Sequence, residues 1–297
     1  MSEIEPESHT PPANTDDNSI RCLDHGFVRL VDVMGNDQSI VQSARVSYGK
    51  GTKNVRADRG LIRYLMKHQH TTPFEMVEFK FHVKCPIFVA RQWIRHRTAN
   101  VNEISGRYSV MEDTFWEPRP EDFRLQGSSN RQGSSSESVD NSKSSELSEQ
   151  FKADQRLLYK HYEEAIAAGT AREVARVNLP LSLYTEWYWK CDLHNLLHFL
   201  RLRMDAHAQL EIRVFADAMA TFVKQYCPIA WEAFEEFSLN AAKLACSERN
   251  LISQLLTEHK LWDELEKRRT AQLQEDGASE STVRREIEEL CQTLNKE

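Results

Sequence analysis

No C-x-x-C pair occurs in this chain. Its six cysteines stand at 22, 85, 191, 227, 246 and 291, with irregular spacing. That argues against a zinc ribbon or a disulfide framework and for thiols kept reduced. No run approaches the roughly 20 apolar residues that a membrane helix needs. The opening MSEIEPESHTPPANTDDNS has neither the basic nor the apolar region of a secretory leader. A cytoplasmic protein without a membrane segment is expected. Positive charge is not in excess either: 38 Lys and Arg stand against 45 Asp and Glu, a net charge of -7. A general nucleic-acid coat does not fit that balance, so any anion site must be a local basic cluster. There is no Walker loop, no G-x-G-x-x-G and no G-x-S-x-G elbow.

What is present is an ordinary globular composition. The 297 residues are 40% hydrophobic and 28% charged, enough for one large domain or two small ones around a substantial core. Residues 1–20 read as a disordered tail. Residues 21–246 read as the main domain and 247–297 as a charged helical extension. Within the main domain FVRLVDVMG (27–35) alternates like a strand, and SIVQSARVSYGKGTK (39–53) reads as a short helix ending in a Gly-rich turn. ADRGLIRYLMKHQH (57–70) has helical spacing. In TPFE, Thr72 caps a helix with Pro73 and Glu75 behind it, or the segment is a turn feeding the next strand. VEFKFHVK (77–84) puts Val77, Phe79, Phe81 and Val83 on one strand face. CPIFVARQWIRHR reads as a helix from Pro86, and EISGRYSV (103–110) as a returning strand.

Residues 126–150, QGSSNRQGSSSESVDNSKSSELSEQ, are dominated by serine and read as a low-complexity mobile loop. Helices are expected over about 151–168, stopped by Gly169, and near Ala171–Arg176. The stretch from about Leu181 to Phe222 reads as the most helical part of the chain, with Leu193, Leu196, Leu197 and Leu200 as an apolar stripe. In the extension, Leu251, Leu255, Trp262 and Leu265 suit one amphipathic helix. Val283, Ile287, Leu290 and Leu294 suit another.

The densest chemistry lies in RHRTANVNEISGRY, Arg95 to Tyr108. Successive helical residues are about 100° apart, so Arg95, His96 and Arg97 cannot share a helix face. They point into different surroundings, or the helix ends there. Arg107 follows a turn at Gly106. Guanidiniums converging with backbone N–H groups near a Ser-Gly turn suit a phosphate or pyrophosphate. Asn102 and Glu103 stand where they can orient ribose or base edges. A solvated basic turn with salt bridges is the plainer alternative.

His194 and His198 are one helical turn apart, at metal-ligand spacing. Asn195 stands where the base of an H-E-x-x-H site would be, so that comparison fails. Two rival readings follow from these stretches. One is a nucleotide- or RNA-binding module on the basic turn, which the acidic net charge opposes. The other is a metal-dependent hydrolase on the two histidines, which lacks a third ligand and a base.

Together the stretches resemble one family, the flavin-dependent thymidylate synthases. Arg95-His96-Arg97, seven residues and Ser105 match its R-H-R-x7-S signature. The likeness extends through ARVSYG (44–49), HTTPFE (70–75), PIFVARQWIRHR, NEISGRY, ARVNLP and LHFLRLRMDAHAQLEIR, in the expected order. It covers about 22–125 and 152–235, not the tail, the serine-rich insertion or the extension. It implies an α/β domain with long helices and a mainly antiparallel sheet, assembled as a homotetramer with sites where subunits meet. It implies dTMP made from dUMP, with methylenetetrahydrofolate as carbon donor and NADPH as reductant through FAD.

Carried over by motif, the FAD contacts would be His70, Thr72, Arg95, His96, Arg97, Asn102, Glu103, Asp192, Leu193, His194 and His198, with no metal. The dUMP contacts would be Gln92, Trp93, Ile94, Arg95, Glu103, Ile104, Ser105, Gly106, Arg107, Arg176 and Arg203. Arg107 and Arg176 would take the phosphate. Arg203 would bind the uracil edge and favour ionisation at N3, which makes C5 more nucleophilic. The family needs no cysteine nucleophile, and none is presented by a motif here. Ser105 is read as positioning dUMP, since no base is evident to activate it. Asp192 and His194 stand where some members carry Asn and Arg.

Overall fold

A computed structural model describes residues 18–46, 55–127 and 133–296. Most of the expected tail lies outside the described residues. So do 47–54, which hold the expected Gly-rich turn and the end of ARVSYG, and 128–132 of the serine-rich stretch.

The first unit, to Leu239, is built on five antiparallel strands. β1 (Ser19–Cys22) and β2 (Gly26–Met34) form a hairpin. α1 (Asp37–Val46) and α2 (Val55–Lys67) follow. A 3-10 turn, Thr72–Met76, leads into β3 (Glu78–Pro86). Its cap residue is Thr71 and no side chain caps it. The capping box on Thr72 is therefore not formed, and the turn feeding a strand is what the chain adopts.

α3 (Ile87–Trp93) and the edge strand β4 (Asn100–Glu103) come next. Then follow β5 (Arg124–Gln126), β6 (Ser134–Ser138), α4 (Asn141–Ala167) and α5 (Arg172–Ala175). β7 (Tyr184–Asp192) returns to the sheet, and α6 (Leu193–Arg203), α7 (Leu210–Tyr226) and α8 (Pro228–Phe234) complete the unit.

The sheet order is β1-β2-β3-β7-β4. β3 and β7 pair from Glu78 opposite Asp192 to Pro86 opposite Tyr184. Phe79, Phe81 and Val83 of β3 lie on the same buried face as Trp187, Trp189 and Cys191 of β7. The leucine stripe of α6 and the apolar face of α7 (Ile212, Phe215, Met219, Phe222) cover that face as one core. Period-2 alternation in the strands and period-3.6 spacing in the helices meet there.

Three expectations give way. The helical reading from Leu181 is wrong over β7: YTEWYWKCD is a strand, with Trp187, Trp189 and Cys191 inward and Glu186, Tyr188 and Lys190 outward. Its Trp, Tyr and Thr are residues that pack well on a pleated surface. The serine-rich stretch is not a loop throughout. It contributes β6 and the first turns of α4, capped by Asp140, whose carboxylate accepts from the N–H groups of Ser142 (3.0 Å) and Lys143 (3.4 Å). Ser148 is buried and donates to Pro118 O at 2.7 Å, and Gln155 Nε2 donates to Trp116 O and Ser182 Oγ, each at 3.0 Å. That helix is seated by hydrogen bonds, which hydropathy does not register. The strand expected at 103–110 ends at Glu103, and a loop carries the rest.

The second unit, Asn240–Glu297, begins earlier than the expected boundary after Cys246. It holds three helices where two were expected: α9 (Cys246–Glu258), α10 (Trp262–Glu275) and α11 (Glu280–Thr293). Lys260 adopts φ +55 between the first two and Gly277 φ +74 before the third, so neither helix can continue. Leu273, Val283 and Leu294 are its buried apolar residues. No helix among the described residues is long and apolar enough to cross a membrane.

Candidate functional site: a basic cleft between loop 94–99 and helix α6

The loop is thrown outward by the residue before it. Trp93, the last residue of α3, is 0% exposed. Its ring lies among Trp187 and Trp189 (both 5.6 Å between centroids), Phe199 (4.8 Å) and Phe215 (6.1 Å). The backbone makes one more turn, with His96 N–H donating to Trp93 O at 2.9 Å, and then straightens into β4. Arg95 and Arg97 are left exposed, while His96 turns half-buried toward α6. The helix thus ends before the three basic residues.

An open cleft of about 390 Å³ results. Arg95, His96, Arg97 and Thr98 line one side, Trp189 and Cys191 the floor, and Asn195, His198, Leu202 and Arg203 the α6 side. Arg203 Nε donates to His96 Nε2 at 3.0 Å. An imidazole nitrogen that accepts is unprotonated, so His96 is neutral with its proton on Nδ1. Burial, followed by the charge of Arg203 and by His198, pushes the His96 pKa down to about 4. His198 is lowered too, by burial first and then by Arg201 and His194. No group of three His, Cys, Asp or Glu side chains that could hold a metal occurs among the described residues.

Loop 104–110, at the other end of β4, forms a separate wall that does not line this cleft. Glu103 Oε1 accepts from Thr185 Oγ1 at 2.5 Å, and Ile104 N–H donates to Glu186 O at 2.9 Å. Both partners lie on β7. The N–H groups of Tyr108 and Ser109 close on Ser105 O at 3.0 and 3.1 Å. Arg107 N–H donates to Ser105 Oγ at 3.4 Å, and its guanidinium lies over the Tyr108 ring. Among the described residues no carboxylate or histidine accepts from the Ser105 hydroxyl, which gives it no activating base. Gly106 is buried. A Cβ there would stand 2.8 Å from Met111 Sδ and 3.1 Å from Arg176 Cδ, so glycine lets Arg176 lie against the turn. Helices α4 and α5 hold this wall from behind: Tyr159 OH donates to Met111 O, Met111 N–H donates to Tyr162 OH and Arg172 donates to Tyr108 O.

The structure gathers Arg95, His96, Arg97, His198 and Arg203 in one cleft. Ile94 lines a smaller neighbouring pocket, and Glu103 to Arg107, with Arg176 against Gly106, stand at the far end of β4 and are not among the residues that line either. Other residues singled out by the resemblance lie elsewhere in the single chain. His70 and Thr72 are exposed beyond α2, His70 packing edge-on to Tyr64. Asn102 is exposed on β4 opposite Tyr188. Asp192 caps α6, its two oxygens taken by the backbone N–H (2.9 Å) and Nδ2 (2.8 Å) of Asn195. His194 follows it, half-buried.

Two of the residues have side chains that are closed off from solvent. Leu193 and Trp93 are each 0% exposed in the core, which leaves their backbone as the part that a ligand can reach. They shape the cleft from beneath. Gln92 hydrogen-bonds Gln209. Sequence reasoning missed Thr185, Trp189, Cys191 and Asn195. Reading β7 as a strand would have found the first three. Cys191 lines the floor, but burial first and then the Asp192 charge raise its thiol pKa, and its Sγ donates to Asp192 O at 3.2 Å. It stays a thiol, not a thiolate nucleophile.

Chemically the site is a donor set. Among the described residues no carboxylate pairs with Arg95, Arg97, Arg107, Arg176 or Arg203. Unpaired guanidiniums at a half-buried floor fit ligands that carry phosphate and a flat, acceptor-edged ring.

The family model described as thymidylate synthase complementing protein matches residues 29–229. A flavin-dependent thymidylate synthase of Wolbachia pipientis wMel is 56% identical over 236 residues, covering 80% of this chain and 83% of that one. One from Treponema denticola is 53% identical over 240 residues, covering 81% and 90%. Among solved structures, the UMP/dUMP methylase PolB of Streptomyces cacaoi, bound with 5-Br dUMP, superposes with a TM-score of 0.67 at 33% identity, over 74% of this chain and 99% of that one. Its signature motif, its sheet and these relatives place the chain in the flavin-dependent thymidylate synthase family.

Proposed function

We propose that this protein converts dUMP to dTMP, with methylenetetrahydrofolate as carbon donor and NADPH as reductant through FAD. We read it as a cytoplasmic homotetramer whose sites are completed where subunits meet. The observation that carries the reading is the convergence of Arg95, His96, Arg97, His198 and Arg203 on one cleft, free of carboxylate partners among the described residues. The dUMP analogue bound by PolB supports the pyrimidine nucleotide as the ligand class.

In this reading Arg107 and Arg176 take the dUMP phosphate at the Gly106 turn, and Ser105 and Glu103 orient the nucleotide. Arg203 holds the uracil edge. Its fixed cation favours the N3 anion and so raises electron density at C5, with no protein nucleophile needed. Arg95, Arg97 and His198 bind and orient the flavin, whose bound form supplies hydride transfer. His70, Thr72, Asp192 and His194, which stand apart in the single chain, contribute to the flavin site in the assembly. The thiol state of Cys191 agrees with a route that needs no cysteine attack.

The test is the visible spectrum of the purified protein, followed by NADPH with and without dUMP. An oxidised-flavin band that bleaches faster with dUMP is expected. A colourless protein that neither takes up FAD nor oxidises NADPH would overturn the reading, and salt-dependent polyanion binding would then be tested at the basic turn.

A further inference from the structure

The resemblance assigns His96 to the flavin and Arg203 to the pyrimidine, yet the two side chains are hydrogen-bonded to each other, Arg203 Nε to His96 Nε2 at 3.0 Å. His96 is the better anchored of the pair. Its backbone N–H is tied to Trp93 O at 2.9 Å. Its ring packs edge-on against the fully buried Phe199, 4.9 Å between centroids, and faces His198 at 5.9 Å. Arg203 is the last residue of α6, with a long side chain that has many rotamers to lose. Its other N–H donors meet no acceptor among the described residues.

We infer that His96 is a positioning residue for Arg203: its Nε2 is the fixed acceptor that holds the guanidinium in one orientation and leaves the outer N–H fork to the pyrimidine. This rests on the reading of the cleft as a dUMP site.

The residue type matters. A carboxylate in place of His96 would also orient Arg203, but it would cancel the positive charge that the ligand is to feel. A neutral imidazole orients the cation without neutralising it. Burial agrees with this, since it disfavours a charged partner there. The bond also joins the two ligand regions of the cleft through a single contact, with His96 Nδ1–H left free of a protein partner among the described residues.

The test is dUMP affinity at saturating FAD, by isothermal titration, in His96→Leu, His96→Gln, His96→Glu, Arg203→Ala and the His96→Leu/Arg203→Ala double variant. FAD content and melting temperature are recorded for each. His96→Leu removes the acceptor and is expected to weaken dUMP roughly 10- to 100-fold, the range for a hydrogen bond to a charged group. His96→Gln keeps a neutral acceptor and is expected within about threefold of the parent, whereas His96→Glu stays about as weak as His96→Leu. In the Arg203→Ala background, His96→Leu is expected to add less than about twofold, because a residue that acts through another is silent once that one is gone.

Additive losses, or a His96→Gln variant as weak as His96→Leu while still folded and loaded with FAD, would overturn the positioning role alone. An Arg203→Ala variant with parental dUMP affinity would overturn the reading of Arg203 as a dUMP ligand, and this inference with it.

Discussion

The loop wall of the cleft and the separate wall at 104–110 are held by different forces. Loop 94–99 hangs from a buried tryptophan: the burial of Trp93 among Trp187, Trp189, Phe199 and Phe215 fixes where Arg95, His96 and Arg97 begin. Loop 104–110 has little apolar anchorage. It is pinned by single hydrogen bonds, from Thr185 to Glu103, from Ile104 N–H to Glu186 O and from Tyr159 to Met111 O. Burial of a large aromatic stabilises by several kcal/mol but is indifferent to direction. A hydrogen bond contributes about 1 kcal/mol net and sets direction strictly. The first wall should therefore fail by unfolding and the second by misalignment.

Trp93→Ala is the sharpest way to break that contrast. It should cost about 3–5 kcal/mol in urea unfolding, the range for deleting a fully buried aromatic. A loss below about 1 kcal/mol would show that Trp93 does not anchor the loop.

Gly106→Ala acts on the second wall. The new Cβ at 2.8 Å from Met111 Sδ and 3.1 Å from Arg176 Cδ forces those side chains to move. Overpacking of this kind costs about 1–3 kcal/mol. Most of the effect should appear as a KM for dUMP raised about tenfold, as a misplaced binding group predicts, with FAD retained. An unchanged KM would separate Arg176 from the nucleotide.

Thr185→Val is milder, because it keeps the shape and removes the hydroxyl that Glu103 accepts from. A stability change within about 1 kcal/mol and a few-fold loss of dUMP affinity are expected, with Thr185→Ser restoring the parent value. Equal effects of Val and Ser would point to packing instead.

Acidity bears on the first wall again. The His96 pKa is lowered from 6.5 to about 4 in the folded protein. Between those values the unfolded chain binds more protons than the folded one at this residue, so stability falls as pH drops from about 6.5 toward 4 and the loss levels off below. The difference between parent and His96→Gln in urea unfolding should change only within that window. A difference that changes instead above pH 7 would contradict a neutral His96.

Much of this was legible from residue order. The alternation of Val77, Phe79, Phe81 and Val83 and the leucine stripe of α6 declare their faces through spacing alone. Other parts were hidden for identifiable reasons. β7 runs straight into α6 with no glycine or proline between them, since Asp192 ends the strand and caps the helix. The leucines downstream then lend the strand a helical look. The first turns of α4 bury Ser144 and Ser148, so a segment read as polar and mobile is seated by hydroxyl bonds that carry no apolar signature. Trp93 and Leu193 sit inside motifs rich in ligand-type residues, and only the tertiary structure shows that their side chains are buried in the core.

By itself the sequence determined the chemical inventory: a cluster of cations on an acidic chain, the R-H-R-x7-S signature and the apolar periods that build a sheet under helices. Which donor meets which acceptor was decided by the tertiary structure alone. His96 and Arg203 are 107 positions apart, and Glu103 and Thr185 are 82 apart. Periodicity encodes which face a residue takes on its own element. It does not encode the strand register that sets Glu103 opposite Trp187, beside Thr185, or the docking of α6 that carries Arg203 to an imidazole held by the core.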